Sequence, residues 1–268
     1  MTTWPCLLRD GNGKPGWPER PDTPQVPPAV VIGVAFLAGS IPFSNLMARR
    51  VRRVDLRDVG TGTVSGTALY RVAGFGPLAL AGICDVAKGA VGPLLAGSDR
   101  PELAAVAGGV AVAGHNWSPW LGGAGGRGIS PALGAFLPYN WPGSVVLLTG
   151  MVAGKFAGET AIGALLADAA LVPVLARVKG RSGRWAATAV LIPMLAKRLL
   201  GNRPARGRPQ VYLWRLLLDR DEPHKADARG GHGDRLTGRT GSVPLRPGKF
   251  PLNPADRRDG YIAHNRNR

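Results

Sequence analysis

Between Gly114 and Gly128 the chain reads GHNWSPWLGGAGGRG, a histidine and two tryptophans followed by a glycine-rich run that holds one arginine. Glycines without side chains let backbone N–H groups converge on an anion, and a guanidinium can grip the same anion with paired, charged hydrogen bonds. The run follows an apolar segment. This combination reads as a phosphate site at a membrane edge, with Arg127, Gly125, Gly126 and Gly128 as its first candidates. His115 has three open roles: base, phosphate ligand, or hydrogen-bonded structural residue.

Three further polar clusters interrupt the apolar middle of the chain, where an unpaired polar group is costly unless it lines a cavity or sits at an interface. The first is GSIPFS, Gly39 to Ser44. Ser40 is a candidate there, against the simpler reading of a proline kink whose serines bond their own backbone. The second is DLRDVGTGTVSGTALYR, Asp55 to Arg71, where Thr61, Thr63, Ser65 and Thr67 alternate with Gly60, Gly62 and Gly66 between Arg57 and Arg71. Hydroxyls and bare amides together can surround a phosphate; a flexible polar loop has the same composition. In the third, Asp85 and Lys88 are three residues apart, on one helical face, where they either touch substrate or neutralise each other.

Several chemistries lack their signatures. Four dispersed histidines and two distant cysteines, Cys6 and Cys84, make neither a metal site nor a disulfide framework, and no cofactor is expected. The glycine run lacks the order G-x-x-x-x-G-K-[ST] of a nucleotide-binding loop, and no G-x-S-x-G serine-hydrolase elbow occurs.

The elements that must hold these clusters are set by hydropathy. The 268 residues are 45% hydrophobic and only 6% aromatic, with 39 glycines and 24 prolines, and membrane helices tolerate both better than soluble ones do. Residues 29–48 are uncharged and near the ~20 residues that cross a bilayer as a helix. Arg49, Arg50, Arg52 and Arg53 follow at once, which argues that this end faces the cytoplasm. Further apolar stretches occupy residues 72–97, 102–121, 129–137, 144–153, 156–176 and 185–200. The expectation is an all-α, polytopic membrane bundle of five to seven spans. Basic residues on both sides of the last stretch leave open whether it crosses or lies in the interface.

Three regions follow from composition: a proline-rich arm at 1–28, expected to be disordered; a membrane domain at 29–200; and a basic tail at 201–268, expected to be largely disordered. Within the tail, VYLWRLLL from Val211 to Leu218 reads as a short interfacial helix with Trp214 at headgroup level. The net charge of +17 suits anionic lipid and phosphate. The tail has little aromatic interleaving and carries acids among its arginines, so membrane lipid is the expected partner and no specific nucleic acid is.

Taken in order, the four clusters resemble the bacterial integral-membrane glycerol-3-phosphate acyltransferases that use acyl-phosphate as donor. That family carries GSIPF, then D-[IL]-R-x-x-G-S-G-N-x-G-A-T-N ending in arginine, then D-x-x-K-G, then G-H-x-[FY]-P with F-K-G-G-K-G-V-A-T. The matching segments here are 39–43, 55–71, 85–89 and 114–130. The resemblance implies a multi-pass protein of the bacterial inner (plasma) membrane that makes lysophosphatidic acid for phospholipid synthesis from acyl-phosphate and glycerol 3-phosphate. It also implies that Thr61, Thr67, Arg71 and Arg127 bind substrate phosphate, supported by Ser40, Arg57, Gly62, Asp85, Lys88, His115, Gly125, Gly126 and Gly128. Arg127 stands for the lysine of G-G-K-G; Thr63 and Ala68 stand where the family has asparagines, and Ser65 where it has glycine. A family segment H-x-x-N-I-x-R-L falls around residues 191–199, and neither its histidine nor its asparagine is present. Two functions remain open: the acyltransferase, with no catalytic residue assigned, or a catalytically impaired descendant that binds a phosphorylated lipid or metabolite.

Overall fold

The structure is a computed structural model that describes residues 25–203 and 209–219. The parts of the expected arm and tail beyond these lie outside the described residues. Among the described residues all regular structure is helical: α1 (Pro28–Ser40), α2 (Phe43–Arg52), α3 (Gly66–Ala73), α4 (Phe75–Ala96), α5 (Pro101–Asn116), α6 (Ile129–Phe136), α7 (Trp141–Phe156), α8 (Thr160–Leu200) and α9 (Gln210–Leu218). Gln25 and Val26, in the expected arm, are tied down: the Gln25 amide donates to Asp99, and Arg100 donates to the Val26 carbonyl.

Three segments are long and apolar enough to cross a membrane: Pro28–Arg52, Phe75–Ala96 and Thr160–Leu200. The third is a hairpin rather than one rod. Gly180 sits at φ 63, ψ −138, outside the helical region, and reverses the chain. Arg198 consequently donates to the Ala161 carbonyl across the paired ends, and its guanidinium faces buried Asp168 at 3.8 Å. The exposed residues Arg177, Lys179, Arg181 and Arg184 gather at the turn, whereas Lys197 and Arg198 are buried at the other end. The second basic cluster is therefore committed to contacts inside the protein, which removes it as a topology signal.

The packing is that of a membrane protein. Phe75, Ile83, Leu94, Leu166 and Ile192 point outward, while glycine, alanine and polar groups fill the helix contacts. Where lipid replaces water, apolar side chains gain little by turning inward, and close backbone approach governs association. Gly39 and Gly114 bring α1 against α5, Gly89 and Gly134 bring α4 against α6, and Gly109 brings α5 against the second half of α8. At each of these positions a Cβ would overlap the neighbouring backbone.

The first span is broken where the site lies. Pro42 forces Ile41 into an extended conformation, so α1 stops at Ser40 and α2 restarts at Phe43. The carbonyls of Ser40 and Ile41 lose their helical partners and must find others.

Gly39→Ala, which drives a methyl into the Ala111 backbone, is expected to lower stability by about 1–3 kcal/mol. Gly33→Ala meets nothing within 4 Å and serves as the control. Thermal unfolding in detergent compares the two, and equal midpoints would contradict the packing account.

Candidate functional site

The broken first span creates acceptors, and α4 and α5 supply what fills them. Lys88 Nζ lies 2.7 Å from Asp85 Oδ1, donates to the Ile41 carbonyl at 2.6 Å and lies 3.0 Å from His115 Nδ1. An ammonium has donors and no acceptor, so His115 Nδ1 accepts from it while Asp85 balances its charge. The His115 proton then resides on Nε2, an assignment that follows from the hydrogen-bond network. Ser44 donates to Asp85 Oδ2 at 3.4 Å, and the Ser118 hydroxyl caps the Ser40 carbonyl at 2.7 Å. Ser40 itself donates to the Leu37 carbonyl and accepts from Trp120 Nε1. Both readings of GSIPFS meet here: a kinked helix with self-bonded serine, whose freed carbonyls anchor the site.

The glycine run packs directly on this cluster. Gly126 N donates to the His115 carbonyl, and a Cβ at Gly126 would overlap His115 Nε2, so only glycine fits against the ring. Gly125 N donates to Asn202 Oδ1, and the Gly125 carbonyl accepts from Val64 N and Asn202 Nδ2. Asn202 Nδ2 also reaches the Gly62 carbonyl at 3.1 Å, so one amide side chain stitches both glycine loops to the end of α8. Gly128, at φ 82, starts α6. The Gly125 and Gly126 amides are thus committed to Asn202 and to the His115 carbonyl in this structure, and two cationic side chains stand beside the run.

Those cations are Arg127 and Lys197. Arg127 donates to the Lys197 carbonyl at 2.8 Å, and its Nε is 2.7 Å from Asp219 Oδ1. Lys197 Nζ lies 5.3 Å from the Trp117 ring centroid, within cation–π range, and donates to the Gly123 carbonyl at 3.2 Å.

The Asp55–Arg71 segment borders the cluster. Its Val64 strand of backbone pairs with Gly125, and Thr63 is buried with its hydroxyl 3.0 Å from that of Thr61. Thr61 is exposed, and so are Thr67 and Arg71, one turn apart on α3, whose first turn is capped by Ser65. Arg57 is exposed and bonded to Asp55, with a reach to the Leu121 carbonyl at 3.4 Å. The hydrogen bonds of Arg57, with further charge from Arg57 and Arg49, hold the Asp55 carboxyl well below the usual carboxylate range.

Of the sequence candidates, the structure gathers Ser40, Gly62, Asp85, Lys88, His115, Gly125, Gly126, Arg127 and Gly128 into one continuous network, with Arg57, Thr61, Thr67 and Arg71 on its exposed margin. Sequence reasoning missed Ser44, Ser118, Lys197, Asn202 and Asp219. For Lys197 a signal existed: it lies in the last turn of an apolar helix, within the segment that aligns with H-x-x-N-I-x-R-L. Among the described residues no group of histidine, cysteine and acidic side chains has the geometry of a metal centre.

By class, this is a polytopic integral membrane helix protein with a buried polar network that ends in two cations. The chain belongs to the glycerol-3-phosphate acyltransferase family, whose model matches residues 29–202. It is 36% identical over 152 residues to the glycerol-3-phosphate acyltransferase of Shouchella clausii, covering 53% of this chain and 72% of that one. It is 31% identical over 173 residues to that of a Synechococcus strain, covering 62% and 84%. Its fold is similar to the crystal structure of PlsY (YgiH), an integral membrane glycerol 3-phosphate acyltransferase, in its glycerol 3-phosphate form. The TM-score is 0.58 at 22% identity, over 64% of this chain and 88% of that one.

Two predictions follow from the network. Lys88→Met strands a buried carboxylate and is expected to cost about 3–5 kcal/mol, whereas Asp85→Leu with Lys88→Met removes both charges and recovers part of that loss, as unfolding in detergent would show. Because the Asp55 carboxyl is depressed in the folded chain, its contribution is constant above the ordinary carboxylate range and is lost as pH falls below it. Stability measured between pH 6 and 2 (about the range that brackets an unfolded carboxyl) should therefore lose part of its acid-side slope in Asp55→Asn; an unaltered slope contradicts the pairing.

Proposed function

We propose that this protein transfers an acyl group from acyl-phosphate to the hydroxyl of glycerol 3-phosphate, releasing phosphate and lysophosphatidic acid, in the inner membrane of a bacterial cell. The observation that carries this reading is the pair of cations, half-buried Arg127 and buried Lys197, beside a polar network built from the family's own segments. Both substrates bear phosphate, and a guanidinium held in place by a backbone carbonyl is pre-aimed at such a group. Thr61, Thr67 and Arg71 on the exposed margin are proposed to complete phosphate binding, with Arg57 shaping the loop. The cluster Arg49, Arg50, Arg52 and Arg53 supports a cytoplasmic position for this face, where a soluble phosphorylated substrate arrives.

The chemistry asked of the protein is positioning. Attack of the glycerol hydroxyl on the acyl carbon forms one C–O bond and breaks the C–O bond to phosphate, with the hydroxyl proton passing to a phosphate oxygen. Cations that hold both phosphates bring the reactants together and stabilise the developing oxyanion. The buried hydroxyls of Ser40 and Ser118 donate to the Leu37 and Ser40 carbonyls, and that of Ser44 reaches at 3.4 Å a carboxylate, Asp85, that is already paired with Lys88, so none of the three meets a histidine base.

Purified protein in detergent, given acyl-phosphate and labelled glycerol 3-phosphate, should form lysophosphatidic acid, with a loss of about a hundredfold or more in Arg127→Gln. Binding of glycerol 3-phosphate without turnover would instead favour the impaired descendant, a reading that the absent histidine and asparagine of the final family segment support. A trapped acyl-enzyme would overturn the positioning mechanism.

A further inference from the structure

The family match ends at residue 202, yet the chain continues into α9, and α9 brings an acid to the site. We propose that Asp219 sets substrate affinity: its carboxylate is a resident counter-anion on Arg127, which the phosphate of an incoming phosphomonoester or acyl-phosphate displaces. The inference rests on the reading of Arg127 as a phosphate ligand.

The geometry that carries it begins with Arg215. This arginine is almost fully buried and donates to the carbonyls of Leu199, Leu200 and Arg203. The last carbonyls of a helix lack intrahelical donors and carry partial negative charge, so a guanidinium placed there satisfies them directly. Gly201 turns the chain at φ 63, and a Cβ there would press on the Arg215 guanidinium. Arg198 Nε returns a bond to the Arg215 carbonyl. α9 is thereby fixed to the end of α8 at the level of Lys197 and Asn202. The next residue after α9, Asp219, adopts a left-handed conformation (φ 52) and caps the helix with its N–H on the Arg215 carbonyl. That turn aims its carboxylate at Arg127 Nε, 2.7 Å away.

The placement differs from a surface ion pair. Arg127 is 13% exposed and Asp219 32%, so the anion approaches a mostly buried guanidinium from the solvent side. A phosphate dianion carries more charge than a carboxylate and spans two guanidinium donors, so it can replace Asp219 while paying for the exchange through the loss of one resident ion pair. The half-buried carboxylate gains water when released. The expected consequence is a weaker apparent affinity for phosphorylated substrate than Arg127 alone would give, and selection against weak anions.

The test uses the full-length chain in detergent with Asp219→Asn, an isosteric change, and Asp219→Glu, which keeps the charge. KM is measured for glycerol 3-phosphate and for acyl-phosphate in turn, and equilibrium binding of glycerol 3-phosphate and of inorganic phosphate by calorimetry. Asp219→Asn should tighten binding of inorganic phosphate and lower KM for one substrate by several-fold, up to about tenfold, the scale of one half-buried ion pair, while Asp219→Glu stays near the parent. The substrate whose KM falls identifies which phosphate meets Arg127. A merely structural role for Asp219 would lower stability without tightening binding. In Asp219→Asn, KM unchanged or raised for both substrates, together with inorganic phosphate bound no more tightly than by the parent, overturns the proposal. Arg127→Gln separates the two levels: if it leaves binding intact, the placement of phosphate on Arg127 fails, whereas if it weakens binding and Asp219→Asn has no effect, only the role of Asp219 fails.

Discussion

Everything at the site depends on where one buried ammonium group finds its partners. Lys88 is held by Asp85 on its own helix, by the Ile41 carbonyl freed where the first span breaks, and by His115 at the end of α5. These three contacts fix the relative positions of α1, α4 and α5 in a setting where water cannot substitute for a missing partner. A buried ion pair is weak support for stability in general, but one tied to partners on three separate segments defines a single geometry for its neighbours. His115 inherits its ring orientation from that geometry, and the glycine run then packs on the ring.

The consequence is a division of labour. Lys88 and Asp85 neutralise each other and serve as scaffold, while Arg127 and Lys197 tie the glycine run to the end of α8 through backbone carbonyls. Glycines act chiefly by letting backbones meet: Gly126 against His115, and Gly39 and Gly114 between α1 and α5. Asn202 then joins the two loops to α8 through three hydrogen bonds. The site is thus assembled from three distant parts of the chain, and no one of its segments forms a phosphate cradle on its own.

Much of this was readable from the chain. Hydropathy and the tolerance of membrane helices for glycine and proline gave the all-helical membrane class, because backbone satisfaction in lipid leaves few alternatives. The four polar clusters stood out because polar residues in apolar surroundings need a partner or a function. Their order identified the family. Less was readable at the C-terminal end: the segments 156–176 and 185–200 form one hairpin that turns at Gly180, and Lys197 looked like a flanking charge because hydropathy does not report on which side of a helix a cation finds its partners.

The sequence by itself determined that the chain is helical, that it enters a membrane, and which four polar segments mark its family, since each rests on local composition and spacing. Only the tertiary structure decided which polar groups pair with which. That choice turns on contacts across large separations in the chain, such as Lys88 with Ile41, Asn202 with Gly62 and Asp219 with Arg127. A donor's partner is set by where folding brings the acceptor, and spacing along the chain carries no record of it.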